Sequence, residues 1–252
     1  MFNNEIKYKI TRPHASIADF VDSFWMVANP SDNEKEIIVL PDGRIDISFT
    51  YFGTEQLHTR LSGLSTEPIK ALFPPKTVIF AMSLNLLAVE YLLNTSVSNL
   101  VNDATQFPEN FFCVLPEDLN DFEIFCNKIT VKIKEHLKDK VDHRKQKLFE
   151  LLYSSNGSLT VKELSAKVFW TSRQINRYFN HSFGIPLKTY CRVLRFRASF
   201  VHIKEGKLFP EQNFSDQPHF IREVKKISGV IPKELFKNQN DRFIQFTSLP
   251  NY

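Results

Sequence analysis

The sequence is short of the residues that usually announce chemistry. Among 252 residues there are three cysteines, three methionines, two tryptophans and seven glycines. Cys113, Cys126 and Cys191 form no CxxC pair and are odd in number. That pattern argues against a disulfide framework or a zinc site and fits unbridged thiols in a reducing cytoplasm. No run of about 18 apolar residues occurs, so no membrane span is expected. The opening MFNNEIKYKI lacks the apolar centre of a signal peptide, which again predicts a cytoplasmic protein. HxH, HExxH and GxSxG are missing, and so is a glycine-rich phosphate loop. His14, His58 and His136 lie far apart in the chain. Neither a metal nor a cofactor is expected, and no nucleophile, base and orienting group assemble into an enzyme.

What is present is apolar and aromatic. Hydrophobic residues make up 42% of the chain and 24 are Phe, which supports a real core and opposes disorder. The length suits one large domain or two ordinary ones. Net charge is a modest +4, but it is unevenly spread. Residues 1–140 hold 13 Lys and Arg against 19 Asp and Glu, a net −6. Residues 141–252 hold 19 against 9, a net +10. An acidic first part and a basic second part suggest that only the second meets a polyanion.

Residues 1–80 read as strands. Ile45, Ile47, Phe49 and Tyr51 alternate with Asp46, Ser48, Thr50 and Phe52, a period of two. The preceding EIIVL stops at the turn Pro41-Asp42-Gly43, so 36–52 is predicted to be a hairpin. Asp42 and Asp46 could be paired carboxylates, but a turn residue and a solvent-face residue are the plainer reading. Leu57–Leu64 and Lys76–Ala81 are further strands, and together these suggest a small barrel or sandwich. Such a region can enclose a small apolar ligand. Ser83–Leu93 reads as a buried helix, with short helical or irregular cover at Val97–Val101 and Pro108–Val114. Glu117–Leu137 reads as one long helix with the stripe Leu119, Phe122, Phe125, Cys126, Ile129 and Ile133. It suits either packing on the first domain or dimerisation. The charged KDKVDHR stretch, 138–144, marks the boundary, giving domains 1–140 and 141–252, and Gln146–Tyr153 opens the second.

The second domain contains the most telling stretch, TSRQINRYFNHSFG at 171–184. Wound as a helix, it places Ile175, Phe179 and Ser182 on one side and Arg173, Asn176, Arg177 and Asn180 on the other. Thr171 suits the N-cap and Gly184 a left-handed end. The polar face holds two Arg and two Asn without an acid. Arg can bond guanine, and Asn adenine, in bidentate fashion. A basic surface helix is the plainer reading of that face alone. Val161–Lys167 and a turn at Val168–Trp170 precede it, which gives helix, short turn, helix.

Displacing the chain by 45 residues repeats the pattern. Arg177 falls on Arg222, Gly184 on Gly229, Ile175 on Phe220, Phe179 on Val224 and Thr171 on Asp216. The second copy, DQPHFIREVKKISG, places Phe220, Val224 and Ile227 on one face and His219, Arg222 and Lys226 on the other. An internal repeat strengthens the nucleic-acid reading. Leu187–Lys204 joins the copies as a long helix carrying Arg192, Arg195 and Arg197. The helix that should support the second copy falls on GKLFPEQ, 206–212, where Gly206 and Pro210 oppose it. Phe209 and Phe214 are expected to plug the core there instead.

These residues resemble the AraC/XylS family of bacterial transcription regulators over about 141–237. The specific parts are LTVKELSAKVFWTSRQINRYFNHSFGIPLKTY and NFSDQPHFIREVKKISGVIPKEL. Asn213-Phe214, Asp216-Gln217-Pro218-His219-Phe220, Arg222, Val224 and Gly229-Val230-Ile231-Pro232 fill the slots of the second motif. Asn213 stands for the usual Gly and Pro218 for the usual Ser, while Ser165 stands where Ala is common. The resemblance implies an α+β chain of two domains. The first is a β-rich, cupin-like or barrel domain that senses an effector or dimerises. The second is an all-α tandem helix-turn-helix domain that binds double-stranded promoter DNA. A small-molecule effector, RNA polymerase and a second copy of the chain are the further partners it suggests. The PDG-RIDISF stretch is also similar to the first domains of some members.

On this reading Arg173, Gln174, Asn176 and Arg177 address base edges, as do His219 and Arg222 from the second unit. Lys162, Lys188, Arg192, Lys225, Lys226 and Lys233 are candidates for phosphates. Competing readings stay open. Arg177 and Arg222 could form salt bridges inside the domain, the latter with Glu223 or Glu205. A regulator-derived interaction module that no longer reads DNA is the alternative function.

Overall fold

The computed structural model describes residues 6–52, 57–137, 140–208, 214–239 and 242–248. The first part is built from strands β1 (Lys7–Thr11), β2 (Val21–Asn29), β3 (Lys35–Val39), β4 (Ile45–Tyr51), β5 (Leu57–Ser62), β6 (Ile69–Phe73), β7 (Thr77–Leu84) and β8 (Ala104–Gln106). Six of them form one antiparallel sheet in the order β1-β2-β7-β4-β5-β8, and β3 pairs with β6 in a second. Edges remain at β1 and β8, so the larger sheet is open and the arrangement is the sandwich rather than the closed barrel. The expected hairpin over 36–52 does not form. β3 and β4 lie in different sheets, because Ile37 turns toward Val27 and Phe73 while Ile45, Ile47 and Phe49 join the main core.

Alternation along the strands gives the larger sheet two distinct faces. One presents Phe24, Phe49 and Phe80 to helix α2, which is reached after the short helix α1 (Leu87–Tyr91) and spans Phe122–His136. Phe125 meets all three rings edge-on, at centroid separations of 6.3, 5.5 and 5.2 Å, an arrangement that aligns ring edges with ring faces. The other face carries Trp25, Val27 and Ile79 under the β3–β6 pair. The single helix expected at Glu117–Leu137 is divided. A 3-10 turn, Pro116–Asn120, precedes α2, and Asp121 caps it by accepting from the amides of Glu123 and Ile124. Helix α1 also begins later than expected, because Ser83 and Leu84 belong to β7.

The rest of the chain is helical: α3 (His143–Ser154), α4 (Val161–Val168), α5 (Ser172–Phe183), α6 (Leu187–Ala198), α7 (Phe200–Lys204), α8 (Gln217–Ser228), α9 (Pro232–Lys237) and α10 (Ile244–Ser248). The long helix expected over Leu187–Lys204 breaks at Ser199, whose hydroxyl donates to the Phe196 carbonyl at 2.6 Å. That local bond offers the backbone an alternative to continuing the helix. Phe209 lies outside the described residues. Phe214 behaves as expected, half-buried with its ring 5.0 Å from that of Phe220.

The two regions share their cores. Leu148, Phe149, Leu164, Ile175, Phe179, Phe183 and Tyr190 belong to one continuous cluster with Phe24, Phe49 and Phe125. A second cluster gathers Phe196, Phe220, Val224, Ile227 and Leu235 around Ile38 and Leu40. The chain returns to the sheet at its far end, where the Ile38 amide donates to the Arg242 carbonyl and Gln245 bonds the backbone of Leu40 in both directions. Helices α5 and α8 are therefore both seated beside strand-region residues.

Candidate nucleic-acid interface

Helix α5 follows from its sequence at both ends. Thr171 and Gln174 form a capping box: the Thr171 hydroxyl accepts from the Gln174 amide at 3.2 Å, and the Gln174 side chain accepts from the Thr171 amide at 2.8 Å. Thr160 and Glu163 do the same for α4. Gly184 ends α5 with φ +74. It also lets two backbones meet, since a Cβ there would lie 2.2 Å from the Ser98 carbonyl oxygen. At this end the Ser96 hydroxyl donates to the His181 carbonyl at 2.7 Å and the Val97 amide to the Ser182 carbonyl at 3.0 Å. The last carbonyls of α5 are thus satisfied by a loop of the strand region.

Ile175, Phe179 and Phe183 bury the inner face of α5. Ser182, expected among them, is only half-buried, and Phe183 takes the deeper position. Outward, Arg173, Gln174, Arg177 and Asn180 are exposed. Asn176 is half-buried and donates to the Ser172 carbonyl at 3.0 Å. Gln174 is committed to the cap in this state. Among the described residues no acid pairs with Arg173 or Arg177.

Helix α8 repeats the plan. Asp216 caps it by accepting from the His219 amide at 2.7 Å, and Gly229 ends it at φ +77. Phe220, Val224 and Ile227 point inward. Arg222, Lys225 and Lys226 are exposed, and His219 is half-buried beside Ser215. The two acids that could have held Arg222 are taken. Glu223 pairs with Arg192 at 2.7 Å, and Glu205 with Lys207 at 3.0 Å. Arg192, one of the phosphate candidates, is thus engaged with Glu223 and ties α6 to α8. Lys162, Lys188 and Lys233 are exposed.

Sequence reasoning missed a polar cluster where the sheet meets α6. Asp22 accepts from Arg44 at 2.7 Å and from Arg197 of α6 at 2.8 Å. Gly43, at φ +78, lets the Pro41-Asp42-Gly43 turn press against Tyr190 and Leu194, and the Tyr190 hydroxyl donates to the Gly43 carbonyl at 3.0 Å. Asp46 is not on a solvent face. It accepts from Ser83 at 2.5 Å, and Ser83 accepts from the Trp25 indole at 3.0 Å. Burial, and secondarily the charge of Asp42, pushes the Asp46 carboxyl up to about 7. Burial also raises Asp42 against the opposing pull of Arg44. The only signal in the sequence was the turn itself, which named a bend but not its neighbour 147 positions away.

Of the thiols, Cys191 is buried and Cys126 half-buried, and desolvation pushes them up to about 11 and about 12. Neither is a ready nucleophile. Among the described residues no group of His, Cys, Asp and Glu is placed to hold a metal, and no helix is long and apolar enough to cross a membrane.

The geometry is that of a β-sheet region followed by an all-helical region carrying two like-capped helices of exposed cations. Residues 9–106 match a domain family of unknown function, DUF6597. No curated protein matches the sequence. Among solved structures, the chain is similar to Vibrio cholerae ToxT with an unsaturated fatty acid bound, at 13% identity and TM-score 0.44, covering 94% of this chain and 97% of that one. It is also similar to Vibrio cholerae ToxT in a P21 crystal form, at 15% identity and TM-score 0.43, covering 92% of this chain and 98% of that one. Likeness at these scores does not establish a family.

Proposed function

We propose that the chain is a sequence-specific DNA-binding transcription regulator of the AraC type, reading major grooves with α5 and, less strongly, with α8. One observation carries this reading: two helices 45 residues apart each have a side-chain N-cap, a buried triad and a left-handed glycine end, and both expose cations that no acid among the described residues neutralises. A merely solvated basic face needs neither the duplication nor the unpaired arginines. Exposed donors on the second helix of a helix-turn-helix are what base edges require. Arg173, Asn176, Arg177 and Arg222 are the base-reading residues, with Gln174 released from its cap on binding and His219 adjoining. Lys162, Lys188, Lys225, Lys226 and Lys233 grip phosphates. The open sandwich is the effector-facing part, and its seat beside α5 and α8 gives it a mechanical route to them. Promoter DNA is the partner, and a small-molecule effector and RNA polymerase follow from the class.

The test is equilibrium binding of the full chain to a duplex that it enriches from a random-sequence pool. Affinity is expected to exceed that for a scrambled duplex by about a thousandfold or more and to fall steeply with salt. Equal affinity for both duplexes would sink the proposal and favour an interaction module.

A further inference from the structure

The turn between α4 and α5 carries a side chain that neither the fold nor the arginine face accounts for. Phe169 sits in the left-handed region, at φ +57 and ψ +34. A bulky L-residue is disfavoured there, and such positions concentrate at functional sites. Phe169 is also 87% exposed, well beyond the next large apolar side chain among the described residues, Leu72 at 63%. The turn is held by other groups. Ser165 donates to the Trp170 carbonyl at 2.6 Å, and Trp170 packs edge-on against Tyr178 with the Arg144 guanidinium 5.4 Å over its ring. The Phe169 ring thus adds nothing to packing, while its backbone is strained.

We propose that Phe169 is a further affinity- and specificity-determining contact to double-stranded DNA, its ring laid against a thymine methyl or a deoxyribose at the edge of the groove that α5 enters. This rests on the DNA-binding reading above. Phe169 lies three residues before Ser172, the first residue of α5, and the start of a recognition helix is the part closest to base edges. The exposed cations nearest it in sequence are Lys167 before it and Arg173 after it, with the exposed hydroxyl residues Thr171 and Ser172 between Phe169 and Arg173. An isolated ring among cations suits a polyanion that offers small apolar spots. An apolar protein surface would be met by a contiguous apolar patch, and among the described residues the exposed large apolar side chains nearest to Phe169 in sequence are Val131 and Phe236.

The full chain is compared with Phe169→Gly and Phe169→Ala on the duplex enriched by the wild type. Glycine suits φ +57, so Phe169→Gly should melt at the same temperature or a few degrees higher while its affinity drops about tenfold. Phe169→Ala should share the loss of affinity. Leu72→Ala, which removes another exposed apolar side chain, should bind as the wild type does. Unchanged affinity in both Phe169 variants would overturn the contact and assign the ring to a protein partner. An affinity loss in Phe169→Gly alone, with a lowered melting temperature, would also overturn it, since the residue would then be structural. Failure of the wild type to enrich any duplex is a separate outcome and would overturn the DNA-binding reading itself.

Discussion

Asp46 shows how a residue's neighbours reverse its meaning. Alternation alone places it on the polar face of β4, and it is there, but that face is covered. Trp25 and Ser83 extend a hydrogen-bonded chain to its carboxylate, and Asp42 stands near enough to repel its charge. The consequence for stability has a definite sign. The folded-state value, about 7, exceeds the ordinary carboxylate value of 3.8, so the folded chain holds the proton more tightly. Stability then decreases as pH rises from about 4 to about 7, where the unfolded chain has released the proton and the folded chain still holds it, and levels off above that, once both have released it. Asp42 contributes in the same direction. Asp46→Asn should flatten that part of the urea-unfolding profile and be more stable than the wild type at pH 8. An unaltered slope between pH 4 and pH 7 would show that Asp46 is not the group responsible.

At the scale of elements, α5 and α8 were legible because their signals are local. Caps, capping boxes and left-handed glycines are written within four residues of where they act, and Thr171, Asp216, Gly184 and Gly229 all perform as their residue types predict. Strand pairing was not legible. Ile37 and Ile38 lie in an apolar run that suits one half of a hairpin, and nothing adjacent to them says that their partner is β6 rather than β4. The helix break at Ser199 was missed for a related reason: a serine within a helical pattern is tolerated unless its hydroxyl captures a carbonyl. The role assigned to α5 is open to direct test. Arg173→Ala combined with Asn176→Ala should preserve nonspecific affinity while removing discrimination, at about 1–3 kcal/mol per lost bidentate contact. A double variant that kept wild-type sequence preference would move the reading face elsewhere.

Across the whole molecule, the uneven charge serves two purposes. Part of it is spent at the seam between the regions, where Asp22 meets Arg197 and Glu90 meets Lys145 at 2.5 Å. Among the described residues, Arg173 and Arg177 on α5 and Arg222, Lys225 and Lys226 on α8 are exposed and have no ion pair. The seam also fixes the relation of the two units. Ser96, Val97 and Ser98 receive the end of α5, Ile38 and Leu40 pack with α8, and Arg192 ties α6 to Glu223. The sheet region is thus a frame on which both helices are mounted, and a ligand or partner that distorts the frame can change their spacing. None of this was visible in sequence, because every contact joins residues far apart in the chain. The central claim is that the mounted pair reads one face of a duplex. Hydroxyl-radical footprinting of the full chain on its enriched duplex tests it most directly. Two protected segments should appear on one face, their centres about 10 bp apart, with protection deeper under the segment assigned to α5. A single protected segment, or uniform protection without helical phase, would contradict the account.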